Sequence, residues 1–256
     1  KQAPLIIFCH GYKGFKDWGA WSLLAKTFAT SGIAVLKFNF SHNGGTVEQP
    51  IDFPDLEAFG RNNYIKELDD LDQVLNWVEL TYAKHSNIDA TSIILVGHSR
   101  GGGIVTLKAA EDTRVKKLVS LAGVSDFKSR FPCGSDLDTW KSTGVQLVTN
   151  GRTKQQMPHY FQFFEDFVNN EERLTIKLAV KKIKIPMLII HGAADTTVME
   201  KEARLLHQWN PLSELKVLEK ADHSFGTRHP WKGKNLPKDL KKVVESSISF
   251  LNKLTL

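Results

Sequence analysis

Three residues far apart in the chain have the types needed to cleave an acyl bond: Ser99, Asp195 and His223. A serine hydroxyl is a weak nucleophile until a base takes its proton, and the base needs an acid to orient it. Ser99 lies in Val96-Gly97-His98-Ser99-Arg100-Gly101-Gly102, a Gly-x-Ser-x-Gly pattern. Such a pattern arises by chance in about one chain in ten of this size, so its setting decides its meaning. The apolar run Ser92-Ile93-Ile94-Leu95 precedes it and reads as a buried strand, and Ile104 to Ala110 follows as the start of a helix. Strand, sharp turn and helix is the setting of a nucleophile elbow, which holds the serine strained and exposed at a helix N-terminus. Gly97 and Gly101 have no Cβ, so strand and helix can approach closely. The simpler alternative is a glycine-rich turn whose serine caps a helix.

The acid and base should follow Ser99 in the order Ser, Asp, His, each just past a strand. Asp195 stands a few residues beyond Met187 to Ile190, in His191-Gly192-Ala193-Ala194-Asp195-Thr196-Thr197-Val198, and could alternatively cap the next helix. His223 stands just beyond Leu215 to Leu218, in Ala221-Asp222-His223-Ser224-Phe225, and could alternatively be a surface histidine. Asp126 is the rival acid. His10 reads as structural, His98 points off the nucleophile, and His42 is expected near the site with Asn43 as a substrate contact. His85, His159, His207 and His229 have no strand-end position. Attack on an ester carbonyl makes an oxyanion, which two backbone amides usually hold. The expected donors are Arg100, directly after the serine, and Tyr12 in His10-Gly11-Tyr12-Lys13-Gly14.

The elements that must carry these residues alternate. Pro4 to Cys9, Ile33 to Phe40, Ser92 to Leu95, Val115 to Leu121, Met187 to Ile190 and Leu215 to Leu218 read as strands. Ala20 to Ser31, Asn63 to Tyr82, Glu200 to Trp209 and Leu240 to Leu251 read as helices from their apolar spacing. Val47 to Phe59 has no clear period. The pattern predicts an α/β fold with a doubly wound, mostly parallel sheet. Residues 127–184 break the alternation and are too long for a structureless loop, so they are read as an inserted cap within a single domain, 1–256. Gly144 to Thr153 reads there as a hairpin with an Asn150-Gly151 turn, and Phe161 to Val180 as helical. Phe161 and Phe164, with Phe163 and Phe167, are candidates for an apolar acyl pocket, or equally for core packing.

The 256 residues are 41% hydrophobic and 24% charged, values of a globular domain. No apolar run approaches the roughly 20 residues that span a bilayer. A formal charge of +6 without a nucleic-acid motif points to a solvated lysine surface, with Lys232, Lys234, Lys238, Lys241 and Lys242 on the outer face of a last helix. Neither nucleic acid nor a membrane span is expected, and the oligomeric state is unread. Cys9 reads as a small buried hydrophobe, and a bond to Cys133 is left open. No ligand cluster has metal spacing, so neither metal nor organic cofactor is expected. The sequence opens at Lys1, so a start could have been removed; the working expectation is a cytoplasmic protein.

His10-Gly11-x-x-Gly14, Gly97-His98-Ser99-Arg100-Gly101-Gly102, His191-Gly192-x-x-Asp195-x-x-Val198 and Asp222-His223 together resemble the α/β-hydrolase superfamily over nearly the whole chain. Within it the chain is similar to the serine aminopeptidase-like and cinnamoyl (feruloyl) esterase-like group, whose cap also carries a hairpin at this place. Phe38-Asn39-Phe40-Ser41-His42-Asn43-Gly44 resembles that group's Asp-Phe-x-Gly-His-Gly loop, with changes. The superfamily usually opens with antiparallel strands ahead of the strand at Leu5, which implies an N-terminal piece outside this sequence. The similar dienelactone hydrolases use cysteine where this chain has Ser99. The resemblance implies a serine hydrolase of small-molecule carboxylic esters. The alternatives are an aminopeptidase or amidase, with Glu165 or Asp166 receiving the amine, and a binding protein that has lost catalysis.

Overall fold

The computed structural model describes residues 2–82 and 87–253. The elements run β1 (Ala3–Cys9), α1 (Trp21–Thr30), β2 (Ala34–Lys37), α2 (Leu56–Gly60), α3 (Tyr64–Tyr82), β3 (Ile88–His98), α4 (Arg100–Glu111) and β4 (Val115–Leu121). There follow α5 (Ser135–Thr143), β5 (Val145–Thr149), β6 (Gln156–Tyr160), α6 (Gln162–Asn169), α7 (Glu171–Leu174) and α8 (Ile176–Lys182). The chain closes with β7 (Met187–Gly192), α9 (Glu200–Trp209), β8 (Glu214–Leu218) and α10 (Lys238–Leu251). Six of the strands pair in parallel in the order β2-β1-β3-β4-β7-β8.

The two-residue period of a strand splits its side chains between two cores. Leu5, Ile7 and Cys9 of β1, with Ile93 and Leu95 of β3, pack with Leu68, Leu71, Leu75 and Val78 of α3. Ile6 and Phe8, with Ile94 and Val96, pack on the other face with Trp21 and Phe28 of α1 and Val244 and Phe250 of α10. Covering on both faces explains why these strands read as unbroken apolar runs. Strand order reverses between β1 and β3, and an open parallel sheet presents its binding crevice at such a switch, beyond the carboxyl ends. The register sets Cys9 beside Gly97, which brings the turn after β1 level with the turn after β3.

Several local expectations change. The hairpin is β5 paired with β6, and its connection spans residues 150–155 rather than a two-residue turn. Neither Asn150 nor Gly151 has the positive φ that a tight Asn-Gly turn needs; Lys154 does, at +63°. Asn150 instead accepts the Arg152 and Thr153 amides on its side chain, widening the loop. The helical stretch after Phe161 breaks into α6, α7 and α8. Asn170 ends α6 by donating to the Asp166 carbonyl, and Thr175 is extended between α7 and α8. α2 escapes the sequence period because it is one turn, capped by Asp55 accepting from the Ala58 amide at 2.8 Å. Lys232 and Lys234 precede α10 instead of riding on it. Cys9 is buried, Cys133 is exposed and both are free. No described helix is long and apolar enough to cross a membrane.

A Cβ built on Gly97 would lie 2.2 Å from the Gly101 carbonyl oxygen, and one on Gly101 2.5 Å from the Cys9 oxygen. Backbone on backbone leaves nothing free to rotate away. Gly97→Ala is therefore expected to lose about 3 kcal/mol of stability, read as a lower urea midpoint, because overpacking forces β3, α4 and β1 apart.

Candidate active site

Ser99 is the residue between β3 and α4, at φ +56° and ψ −120°. That conformation is rare for a residue with a Cβ and costs about 1–3 kcal/mol. The Ser99 amide donates to the Leu121 carbonyl at 2.9 Å, and the Gly102 amide donates to the Ser99 carbonyl at 2.9 Å, so the turn is pinned on both sides. His223 Nε2 lies 3.0 Å from Ser99 Oγ, and His223 Nδ1 lies 2.7 Å from Asp195 Oδ2. A carboxylate opposite Nδ1 keeps the proton there and turns the Nε2 lone pair toward the serine. Asp195 Oδ1 accepts the Thr197 and Val198 amides at 2.8 and 2.9 Å, so the residue also makes a capping-type turn. His191 Nε2 donates to the Val198 carbonyl at 2.8 Å and stands 3.3 Å from Asp195 Oδ2. Burial pushes the Asp195 carboxyl up, but the bonds from His191 and His223 outweigh it and hold the group well below the usual carboxylate range.

His98 has a second task. Burial, aided by neighbouring His223, lowers its pKa to about 3, so the ring is neutral. Its Nε2–H donates to the His223 carbonyl at 2.8 Å, which fixes the loop carrying His223. On the other flank, a Cβ on Gly11 would meet Ser99 Cβ at 2.8 Å, so the turn after β1 lies directly against the serine. Within that turn the Gly14 amide donates to the Gly11 carbonyl at 3.1 Å, and Tyr12 follows Gly11. Arg100 opens α4, and a first-turn amide has no acceptor inside its own helix.

Two cavities meet at Ser99. One, of about 260 Å³, is lined by Trp18, Trp21, Lys13, His223 and Ser224. The larger, of about 420 Å³, is walled by Tyr64, Phe127, Phe131, Trp140 and Phe163, with Arg100, Arg130 and His159 as its basic groups. Much of this wall comes from residues 127–184.

The structure brings together Ser99, Asp195, His223, Tyr12 and Arg100. The expected substrate contacts lie elsewhere. His42 is half-buried against Ser41, and Asn43 is buried, donating to the Gly14 carbonyl at 3.2 Å and accepting the Gly45 amide at 3.0 Å. The Asn43 side chain thus braces the Gly11–Gly14 turn. Phe161 and Phe164 pack on Trp140 and Phe131 and do not line the cavity. The helical turn sends Phe163 and Phe167 inward to Tyr64, with ring centroids at 4.8 and 6.3 Å, and only Phe163 reaches the cavity. Asp126 binds the Lys128 and Ser129 amides and does not touch His223. His10 is structural, accepting the Phe40 amide at 3.3 Å. His229 accepts the Gly19 amide, His207 meets Ser213, and His85 lies outside the described residues. His159, dismissed for lacking a strand end on the main sheet, is in the cavity wall. It sits on β6, and its Nε2 is 2.7 Å from the Tyr12 hydroxyl. A histidine in a hairpin arm within the inserted segment was the available signal.

A family model described as alpha/beta hydrolase fold matches residues 4–175. The chain belongs to this family. Among solved structures, Est1E from Butyrivibrio proteoclasticus superposes with a TM-score of 0.67 at 18% identity, covering 98% of this chain and 87% of that one. A putative hydrolase from Agrobacterium vitis S4 gives 0.71 at 18% identity, covering 98% and 88%. These likenesses show the fold. An uncharacterised 31.7 kDa protein of Escherichia coli is 35% identical over 123 residues, 48% of this chain and 38% of that protein. The quorum-quenching protein AidA of Acinetobacter baumannii is 26% identical over 146 residues, 56% of this chain and 43% of that protein. The matched stretch spans less than half the length of either curated relative.

In this α/β-hydrolase the residue after Ser99 carries a buried charge. Arg100 Nη1 donates to Glu67 Oε1 at 3.3 Å, with 14% and 4% of the two side chains exposed. Asn62 donates to the same oxygen at 2.8 Å. The guanidinium lies 4.3 Å from the Tyr12 ring centre and 5.3 Å from that of Tyr64. Removing one partner of such a pair strands the other. Glu67→Ala is expected to cost about 3–5 kcal/mol in urea unfolding, and Glu67→Gln clearly less, because it keeps an acceptor for Arg100.

Proposed function

We propose that this chain is a serine hydrolase of carboxylic esters, with Ser99 as nucleophile, His223 as base and Asp195 as the acid that orients it. The observation that carries the reading is the unbroken chain of contacts from Ser99 Oγ through His223 to Asp195, at 3.0 and 2.7 Å. Ser99 Oγ attacks the acyl carbon while His223 Nε2 takes its proton. The carbonyl oxygen gathers charge between the Arg100 and Tyr12 amides. As the tetrahedral species collapses, the bond to the alcohol breaks and His223 returns the proton to the leaving oxygen. Water then gives a proton to His223 and attacks the acyl-serine, releasing the acid and restoring the serine. Asp195, ionised and multiply hydrogen-bonded, stabilises the imidazolium throughout. The segment 127–184 acts as a cap whose aromatic wall receives the acyl group. The cavity beside His223 receives the alcohol, since the leaving oxygen must reach Nε2.

Cleavage of peptides from a free amino end would need a carboxylate in the site to take the ammonium. Among the described residues, neither cavity is lined by one, and Glu165 and Asp166 are not in either wall. A purely binding role would leave the strained backbone at Ser99 without a use.

Ser99→Ala is expected to lower kcat on 4-nitrophenyl esters by a factor on the order of 10⁴–10⁶, with an unchanged circular dichroism spectrum and no labelling by a fluorophosphonate probe. Turnover within tenfold of the parent would reject Ser99 as nucleophile. Asp195→Asn should cost about 10⁴ in kcat while KM changes little, since the amide favours the wrong tautomer of His223; an equal loss through KM alone would remove Asp195 from the triad.

A further inference from the structure

The larger cavity has apolar walls and a one-sided charge. Its lining holds Arg100 and Arg130 and, among the described residues, no Asp or Glu. Their counter-charges stand outside the lining: Glu67 behind Arg100, and Glu202 behind Arg130, which it meets through both carboxylate oxygens at 2.7 Å. Arg100 makes one side-chain hydrogen bond among the described residues, the 3.3 Å bond to Glu67. A guanidinium has five N–H groups, so most of its donors remain for a ligand. Stacking on Tyr12 and Tyr64 fixes its plane without using those donors. His159 adds a second open polar atom. Its Nε2 meets Tyr12, while its Nδ1 is buried without a partner, in a residue only 6% exposed. An unmet buried polar atom and unmet guanidinium donors in an aromatic cavity are costly unless a ligand meets them.

We propose that this cavity receives an acyl group bearing a carboxylate, so that the preferred substrates are monoesters of dicarboxylic acids. The proposal rests on the ester-hydrolase reading of Ser99. Arg100 is the principal recognition group and takes the distal carboxylate by charge-assisted hydrogen bonds. Arg130, held by Glu202, contributes field rather than direct bonding. The aromatic wall packs the methylenes between the two carbonyl carbons. Because Arg100 directly follows the nucleophile, the distal anion folds back toward the α4 N-terminus, which selects short diacids over long ones.

The test compares two uncharged-versus-charged isosteres: the 4-nitrophenyl monoester of glutaric acid and the 4-nitrophenyl ester of 5-methylhexanoic acid. In the parent protein at low ionic strength, kcat/KM for the glutaryl ester should exceed that for its isostere by about tenfold or more, the size of one charge-assisted contact. The ratio should fall toward one in Arg100→Gln, a change that keeps a donor for Glu67. It should fall by a smaller factor in Arg130→Gln, which supplies the second reading if the first variant does not fold. A parent ratio at or below one overturns the carboxylate preference and leaves the hydrolase reading intact. A high ratio unchanged in the folded variants overturns the assignment to the arginines. Failure to turn over either ester, with no fluorophosphonate labelling of Ser99, overturns the reading on which the proposal rests.

Discussion

The molecule is arranged around a place where three stretches of backbone touch with no side chain between them. The end of β3, the first turn of α4 and the end of β1 meet at Gly97, Gly101 and Cys9, at separations that exclude even a methyl group. That contact pulls α4 back across the strand it follows. The residue at the bend, Ser99, is thereby forced into positive φ and left at the rim. The same contact brings the turn after β1 against the serine, so Tyr12 and Arg100 line one cavity with it. Backbone strain of a few kcal/mol is tolerable here because two buried cores, one on each face of the sheet, hold the strands in place.

Around this bend the polar groups are layered by solvation. Asp195 is supplied with amide and imidazole donors and stays charged. His98 and His159 are buried without an acid partner, and burial holds both neutral, with pKa values of about 3. Two of the site's imidazoles therefore serve as fixed hydrogen-bonding frames, while His223 alone faces both a carboxylate and a hydroxyl. Arg100 stays charged because Glu67 stands behind it. The result is a cavity whose wall carries positive charge while its negative partners are kept at the back.

Much of this arrangement is legible in the sequence. The strands that build the sheet announce themselves as apolar runs because both faces are covered, and α3 and α9 by a clean helical period. The strand-end positions of Asp195 and His223 follow from the alternation, since a parallel sheet collects such residues at one edge. What stays hidden is the cavity wall. Phe163 and Phe161 are the same residue type two positions apart, and only the entry angle of α6 decides which faces the site. Asn43 and His42 sit in a loop that runs past the site, but the Asn43 side chain is taken up in bracing the Gly11–Gly14 turn and that of His42 meets Ser41. His159 has no strand-end position to mark it, because it lies inside β6 of the small sheet, opposite Gln146.

The inserted span leaves the sheet after β4 and returns at β7, and those two strands are neighbours in register, Leu121 beside Ile190. β4 and β7 run parallel, so the span departs at the carboxyl edge of the sheet, after Leu121, and returns at the amino edge, at Met187 beside Leu118. The crossover back to that edge is made through α8, which adds Ile176 and Val180 to the core, while Ser99, Asp195 and His223 all belong to turns outside the span. Exchanging the stretch between β4 and α8 would therefore reshape the chamber's walls while leaving those three turns in place. The shape of the chamber and the placing of those three side chains thus rest on different parts of the chain, one on a segment that leaves the sheet, the other on the sheet itself.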